Sequence, residues 1–405
     1  MSARLPAGRL LAVLTGALLA LWLGCAAVLV TGCGEGERTP GTPPAAPAPA
    51  PAPGRAPAAP AAAAPAAQLP FTTAEQCGRC HTEIYEEWKA SYHGLAMVDP
   101  LFLDLSADVN KEECIRCHAP VPMREVDFLT PIARTEHRDD AVSCLSCHQS
   151  GGSMAGPFEG CSGQCNPVFD PDQRDPVKMC FGCHNQHDTG NEWLAGPWSP
   201  EAPEPRTKPA RTCLDCHMPE VERPLVQGGP PRKGRRHTWP GGHDLAQLRK
   251  AATLEVEVRE APGGGVRLQA FVTNIGAGHY LPTDSRHRSF DLYFRLWDEA
   301  GKVVLDPLDP NQQDRAQVAK YRKNYRGSGL VDTQIPPGAR VSGLGDRWKG
   351  YLDLPAGARG RGEAWLVYRL SQADMLDASS LDDTLPFQPY RARLVLRTPF
   401  TYGGR

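Results

Sequence analysis

Hydrophobic and polar positions divide the chain into four stretches, each with its own pattern. Leu10 to Val30 is an apolar run interrupted only by small residues, with Arg4 and Arg9 ahead of it. Gly34 to Pro70 is dominated by Pro, Ala and Gly and has no periodicity. From Cys77 to His217 the chain is rich in Pro, Gly and charge, and its apolar runs are short. One amphipathic helix stands out there. It follows Thr72, with Glu75 three residues on as a capping box, and Ile84, Tyr85 and Trp88 recur at helical spacing as a packing face. Beyond about residue 250 the period changes to two. Leu254–Val258, Val266–Val272, Phe290–Trp297, Ala364–Leu370 and Ala392–Leu396 read as strands. Gly263–Gly265, Glu299–Gly301, Pro336–Gly338 and Pro355–Gly357 supply the turns between them. Short strands separated by such turns predict an antiparallel β-sandwich of immunoglobulin-like architecture. The expected organisation is multidomain: a signal segment over 1–33, a linker over 34–70, a mostly helical and loop domain over 71–250, and an all-β sandwich over 251–405.

Positive charge followed by an apolar segment is the pattern of an export signal. The run ends in Leu29-Val-Thr-Gly-Cys33, which resembles the lipobox of bacterial lipoproteins, where the cysteine is lipidated and becomes the first residue. The alternative is an uncleaved anchor, since about 20 apolar residues span a bilayer. Either reading tethers the protein at a membrane, in the periplasm or at the cell surface of a bacterium. Cys25 lies inside the apolar run and has no expected role beyond packing. The Pro/Ala stretch cannot bury a core and is expected to be an extended tether. At ~3.1 Å per residue it reaches on the order of 100 Å.

Composition adds two constraints. The formal charge of the 405 residues is −2, which implies neither a nucleic acid nor an acidic partner. Fourteen cysteines must be accounted for by disulfides, metal or haem. Their spacing decides. The chain reads Cys77-Gly-Arg-Cys80-His81, Cys114-Ile-Arg-Cys117-His118, Cys144-Leu-Ser-Cys147-His148, Cys180-Phe-Gly-Cys183-His184 and Cys213-Leu-Asp-Cys216-His217. C-x-x-C-H is the attachment sequence of c-type haem: the thiols form thioethers to the vinyl groups and the histidine is the proximal iron ligand. Zinc sites need no histidine after each C-x-x-C pair, and iron–sulfur clusters use other spacings. Five repeats predict five c-type haems, each with its iron.

Sixth ligands are expected among the remaining histidines of this region: His93, His137, His187, His237 and His243. His93 lies twelve residues after His81, about 18 Å along a helix at 1.5 Å per residue, so it is expected to serve a different haem. His187 follows His184 on the same side of any helix there and cannot cap the opposite face of the same iron. Its alternative is a surface or propionate-bonding role.

Cys77 to Met97, with its Trp88-Lys-Ala-Ser-Tyr-His93 element, resembles the opening haem segment of the cytochrome c-552/c-554 type multihaem family. Further matches are Val142 to His148, Glu192-Trp193, Cys213-Leu-Asp-Cys-His-Met-Pro219 and His237-Thr-Trp-Pro-Gly-Gly242. The resemblance covers about residues 72–250. It implies a mostly helical fold with haems in close pairs, and it makes His93, His137 and His237 distal ligands. His187 and His243 match nothing in it. Five motifs depart from the four of the tetrahaem member, so its haem order does not transfer.

Four features remain. Cys161 and Cys165 form a C-x-x-x-C pair outside the haem motifs, for which a local disulfide is expected. Arg232-Lys-Gly-Arg-Arg236 is the one dense basic run, either a solvated loop or a partner for propionates or an acidic redox protein. Asn274 to Thr283 contains a G-H-x-x-P-T element that looks like one in β-domains appended to multihaem cytochromes. His279 in it could reach an iron, although local hydrogen bonding is the commoner fate, and His287 is a weaker candidate still.

Two functions fit. An electron carrier would have every iron closed by two ligands and would meet redox partner proteins, with haem-to-haem contact between protomers a further expectation. A reductase of a small nitrogen or sulfur compound would need one open iron. No C-x-x-C-K motif of the lysine-ligated catalytic haem occurs, and histidines are plentiful, so the carrier is favoured, with no catalytic residue assigned.

Overall fold

A computed structural model of the chain describes residues 71–404, apart from 161–163, 165, 175–176, 284–286, 327–328 and 345–346. Cys25, Cys33, the linker and the Cys161/Cys165 pair therefore lie outside the described residues.

The first part is a series of short helices: α1 (Ala74–Gly78), α2 (Thr82–Lys89), α3 (Pro100–Leu105), α4 (Glu112–His118), α5 (Cys144–His148), α6 (Val177–His184), α7 (Thr189–Leu194), α8 (Cys213–His217) and α9 (Leu245–Ala251). Three short strands, β1 (Gln149–Ser150), β2 (Ser153–Gly156) and β3 (Pro167–Phe169), form a small sheet, and β4 (Glu220–Pro224) pairs with β5 (Pro231–Arg235) as a hairpin. Capping is visible in the sequence but displaced by one residue from expectation. Thr73, not Thr72, is the N-cap of α1, and Gln76, not Glu75, closes the box by accepting the Thr73 N–H at 3.2 Å. Ser143/Ser146 and Thr212/Asp215 form the same reciprocal cap on α5 and α8. Apolar packing here is sparse. Among the described residues, one buried apolar cluster gathers around Ile115 and consists of Ala96, Met97, Phe102, Ile115, Ala119 and Ala141.

Helix α9 runs directly into the β-rich part. Its strands are β6 (Ala252–Ala261), β7 (Gly265–Asn274), β8 (Ser289–Asp298), β9 (Val303–Leu305), β10 (Gln317–Tyr321), β11 (Lys323–Arg326), β12 (Gly329–Asp332), β13 (Arg340–Val341), β14 (Tyr351–Leu354), β15 (Gly360–Arg369) and β16 (Arg393–Tyr402). One sheet has the order β10–β8–β15–β16, with β9 also on β8. The other has β6 and β13–β14 flanking β7. All five strands expected from periodicity exist, and each is longer than its apolar pattern.

Strand β7 alternates as a half-buried strand should, with Leu268, Ala270 and Val272 inward. β8 and β15 do not alternate, because both faces are covered. Their inner residues Phe290, Leu292 and Phe294 join the main core, while Asp291 and Tyr293 on the opposite face are buried with Arg369, whose Nε donates to Asp291 at 2.7 Å.

The β-rich part is pressed tightly against the helical part. A Cβ on Gly196, after α7, would stand 2.3 Å from the carbonyl oxygen of Gly278, after β7. Gly278 in turn lies against the Trp193 ring, where a Cβ would be 3.0 Å from Cδ1. Only glycine permits that approach. Replacing Gly196 with Ala is expected to lower the unfolding free energy of the mature protein by about 1–3 kcal/mol, the usual cost of overpacking. Denaturant titration checks this, and a change below about 0.5 kcal/mol would show that the contact is slack.

Candidate haem cavity

One continuous cavity of about 1900 Å³ runs through the helical part and reaches the β-rich part. A pocket for one drug-sized ligand is about 300–1,000 Å³, so this one is sized for several. All ten cysteines and all five histidines of the C-x-x-C-H motifs line it. Of the twelve histidines, all among the described residues, His137 alone does not. It is exposed, with left-handed backbone at φ 51°, and its carbonyl accepts from the Arg134 guanidinium at 2.8 Å. The structure therefore does not bring His137 to the motifs.

The motifs build this lining through helix geometry. In α5 and α8 the two cysteines occupy the first and fourth helical positions and the histidine the fifth. Residues spaced i, i+3, i+4 share one helical face, so both thiols and the imidazole point the same way. The first motif achieves this across a break between α1 and α2, where the N–H groups of Cys80 and His81 both bond to the Cys77 carbonyl. In the fourth motif the spacer residue Gly182 is required, because a Cβ there would lie 1.9 Å from the Phe128 carbonyl oxygen.

Four of the five motif imidazoles are held in a defined tautomer. Nδ1 of His81 meets the Leu225 carbonyl at 2.7 Å, that of His118 the Ala96 carbonyl at 2.8 Å, that of His148 the Ala155 carbonyl at 2.9 Å, and that of His217 the Pro240 carbonyl at 2.6 Å. His237 and His279 do the same to the carbonyls of Arg235 and Tyr280, at 3.0 and 2.9 Å. A carbonyl can only accept, so the proton sits on Nδ1 and the lone pair on Nε2. That is the usual arrangement of a metal-binding histidine and its outer partner.

Three histidine pairs face each other. Ring centres are 6.1 Å apart for His93 and His184, 6.3 Å for His148 and His237, and 6.4 Å for His217 and His279. Two imidazoles on opposite sides of one metal, each at about 2.0–2.1 Å, place their ring centres about 6.3 Å apart. The cavity thus fits metal held between imidazole pairs. His93 Nδ1 is buried with no hydrogen-bond partner in the protein. Burial, and then the nearby His184, His118, His237 and His217, push its pKa down to about 3, which keeps it neutral. His243 meets aromatic rings, Tyr92 and Phe387. It stacks on Tyr92 at 3.4 Å, too close for an intervening metal. His187 lines the cavity, and its carbonyl accepts from Lys323 at 2.9 Å. Phe102 covers one face of His118 at 3.8 Å.

Thiols from different motifs also meet. Cys77 contacts Cys144, Cys180 contacts Cys213, and Cys117 contacts Cys183. Cys147 is close enough to both cysteines of the fourth motif to act on them electrostatically, and burial pushes its own pKa up to about 11. His279 was a weak candidate by sequence, and its buried anchor Glu192 had no role assigned beyond its place in the Glu192-Trp193 match.

Residues 76–149 match the family described as cytochrome c554 and c-prime. No curated protein matches the chain. Among solved structures, a penta-heme cytochrome c552 from Thermochromatium tepidum is similar over 82% of this chain and 98% of its own, with a TM-score of 0.57 and 18% identity. That coverage exceeds what the helical part alone supplies, so the likeness extends into the β-rich part. The fold is that of a multihaem cytochrome c.

His237 is oriented by Glu87. The carboxylate takes two bonds from Arg223, at 2.7 and 2.8 Å, one from Arg236 at 3.0 Å, and the His237 backbone N–H at 2.8 Å. Burial opposes its charge, but these partners outweigh it and hold the carboxyl below its usual range. The Arg223 side chain is only 6% exposed. Replacing Glu87 with Gln leaves that cation uncompensated and is expected to cost about 3–5 kcal/mol, read by denaturant unfolding of the mature protein. A loss below about 1 kcal/mol would show that the cluster is not holding the His237 loop.

Proposed function

We propose that this multihaem cytochrome c carries electrons between redox partner proteins outside the cytoplasm, using five c-type haems closed mainly by histidine pairs. The observation that carries this reading is the set of three facing imidazole pairs in one cavity lined by ten motif cysteines. Cys77/Cys80, Cys114/Cys117, Cys144/Cys147, Cys180/Cys183 and Cys213/Cys216 hold the five groups, and His81, His118, His148, His184 and His217 are the proximal ligands. His93 pairs with His184, and His237 with His148. Haem supplies an iron that accepts and gives up one electron. The chain fixes six of the imidazoles through Nδ1 bonds to backbone carbonyls and sets low potentials, since a histidine pair gives a lower potential than histidine with methionine.

In this reading the β-rich part is an immunoglobulin-like sandwich. Its support is the strand order, with β6–β7–β14 in one sheet and β10–β8–β15–β16 in the other. The domain boundaries stay near residues 70 and 250. Among the described residues no helix is long and apolar enough to cross a membrane, and tethering is assigned to the N-terminal segment, with lipidation at Cys33 and the 34–70 stretch as leash. Nucleic acid is not a partner in this reading, and contact between haems of neighbouring protomers is.

Two measurements test it. Pyridine haemochrome assay of the mature protein is expected to return five haems. Electron paramagnetic resonance of the oxidised protein is expected to show predominantly low-spin signals, with slow reoxidation of the reduced protein by nitrite, hydroxylamine or tetrathionate. A strong high-spin signal with rapid, substrate-dependent reoxidation would make this a reductase instead.

Mass spectrometry of the purified N-terminus is expected to find a lipidated Cys33 as the first residue. Finding residues 1–32 still attached would replace the lipid with a membrane anchor.

A further inference from the structure

We infer that His279, supplied by the β-rich part, is the sixth ligand of the iron whose proximal ligand is His217. This rests on the reading of the fifth motif as a haem site. The His217 and His279 rings are 6.4 Å apart and within 17° of parallel. Their separation matches the two pairs drawn wholly from the helical part, at 6.1 and 6.3 Å. Both Nδ1 atoms are committed to backbone carbonyls, Pro240 for His217 and Tyr280 for His279. Nε2 is then the lone-pair atom on each ring. A histidine present only for local hydrogen bonding would have no reason to stand at this distance and angle from a motif histidine.

The loop carrying His279 is built to hold it there. Asn274, fully buried, donates from Nδ2 to the carbonyls of His279 and Ile335, at 2.9 and 3.1 Å, and accepts the Ala277 N–H at 3.1 Å. From the other side, Glu192 of α7 accepts the Tyr280 N–H at 3.1 Å and the Thr283 hydroxyl at 2.6 Å. Lys323, whose side chain is 4% exposed, neutralises Glu192 at 3.3 Å. The next residue, Trp193, donates from Nε1 to the Arg211 carbonyl at 3.2 Å, two residues before Cys213. Adjacent side chains of one helical turn therefore fix both halves of the site, the His279 loop and the fifth motif. Glu192 and Lys323 are positioning residues, since they act through the loop.

All five attachment motifs precede the β-rich part. With His279 as ligand that part completes the fifth site.

The test uses the mature full-length protein carrying His279→Gly or His279→Met. In H279G the haemochrome count is expected to stay at five while one haem's worth of low-spin signal becomes high-spin relative to wild type, and added imidazole restores it. In H279M a thioether replaces one imidazole, so one midpoint potential rises and four stay in place. A low-spin signal in H279G unchanged from wild type, or an unshifted set of potentials in H279M, would overturn the assignment. So would failure of both variants to accumulate, which would mark His279 as a packing residue rather than a replaceable ligand. A wild-type count below five would instead strike at the haem reading of the motifs, and is distinguished by being present before any substitution.

Discussion

A motif of five residues has to present two thiols and one imidazole on the same side of a single helical turn, and the helical part is organised around doing so repeatedly. One turn cannot hold its own orientation. The helices α1, α5 and α8 are therefore capped from their own sequence, as Thr212 and Asp215 cap α8, and α8 is also clamped from outside by Gln247 of α9, which donates to the Cys216 carbonyl at 3.3 Å. Four motif imidazoles are fixed a second time through Nδ1, by carbonyls from 7 residues away, as Ala155 is from His148, to 144 residues away, as Leu225 is from His81. Loops that look irregular are the delivery routes for those carbonyls.

The two parts of the molecule solve the folding problem differently. The β-rich part has an ordinary core, with Phe290, Leu292, Phe294 and Leu366 fully buried between its sheets. Among the described residues, the helical part has a small cluster around Ile115, and its other buried apolar side chains, such as Trp88, Met123, Leu145 and Leu214, are scattered outside it. Apolar surface removed from water is worth about 25 cal/mol per Å², and side chains there supply too little of it. Haem, fixed covalently to the chain, is the missing apolar mass. Its absence would leave a lined cavity where other domains have a core.

How much of this was legible in sequence depends on the range of the interaction. The C-x-x-C-H motifs, the five long strands and the α1 cap are local patterns, and reading them failed only by a residue or by strand length. Which histidine would meet which motif is not local. His93 and His237 were reachable through the resemblance, but His137 was also expected and lies exposed on its loop. His279 was seen as a loop histidine, yet its weight comes from Glu192, Lys323 and Asn274, whose convergence no spacing rule expresses. The central strands β8 and β15 are similar: they lack strict alternation because of what covers their second face, which is a tertiary fact.

The thiol contacts between motifs define a connectivity as well as a packing. The first motif touches the third through Cys77 and Cys144, the third lies beside the fourth through Cys147, and the fourth touches both the second and the fifth through Cys183 and Cys180. At the level of the chain this is a branched neighbourhood, not a single file: the fourth motif adjoins three others, and the first, second and fifth adjoin one each. The fifth is the motif whose histidine stands beside His279 of the β-rich part.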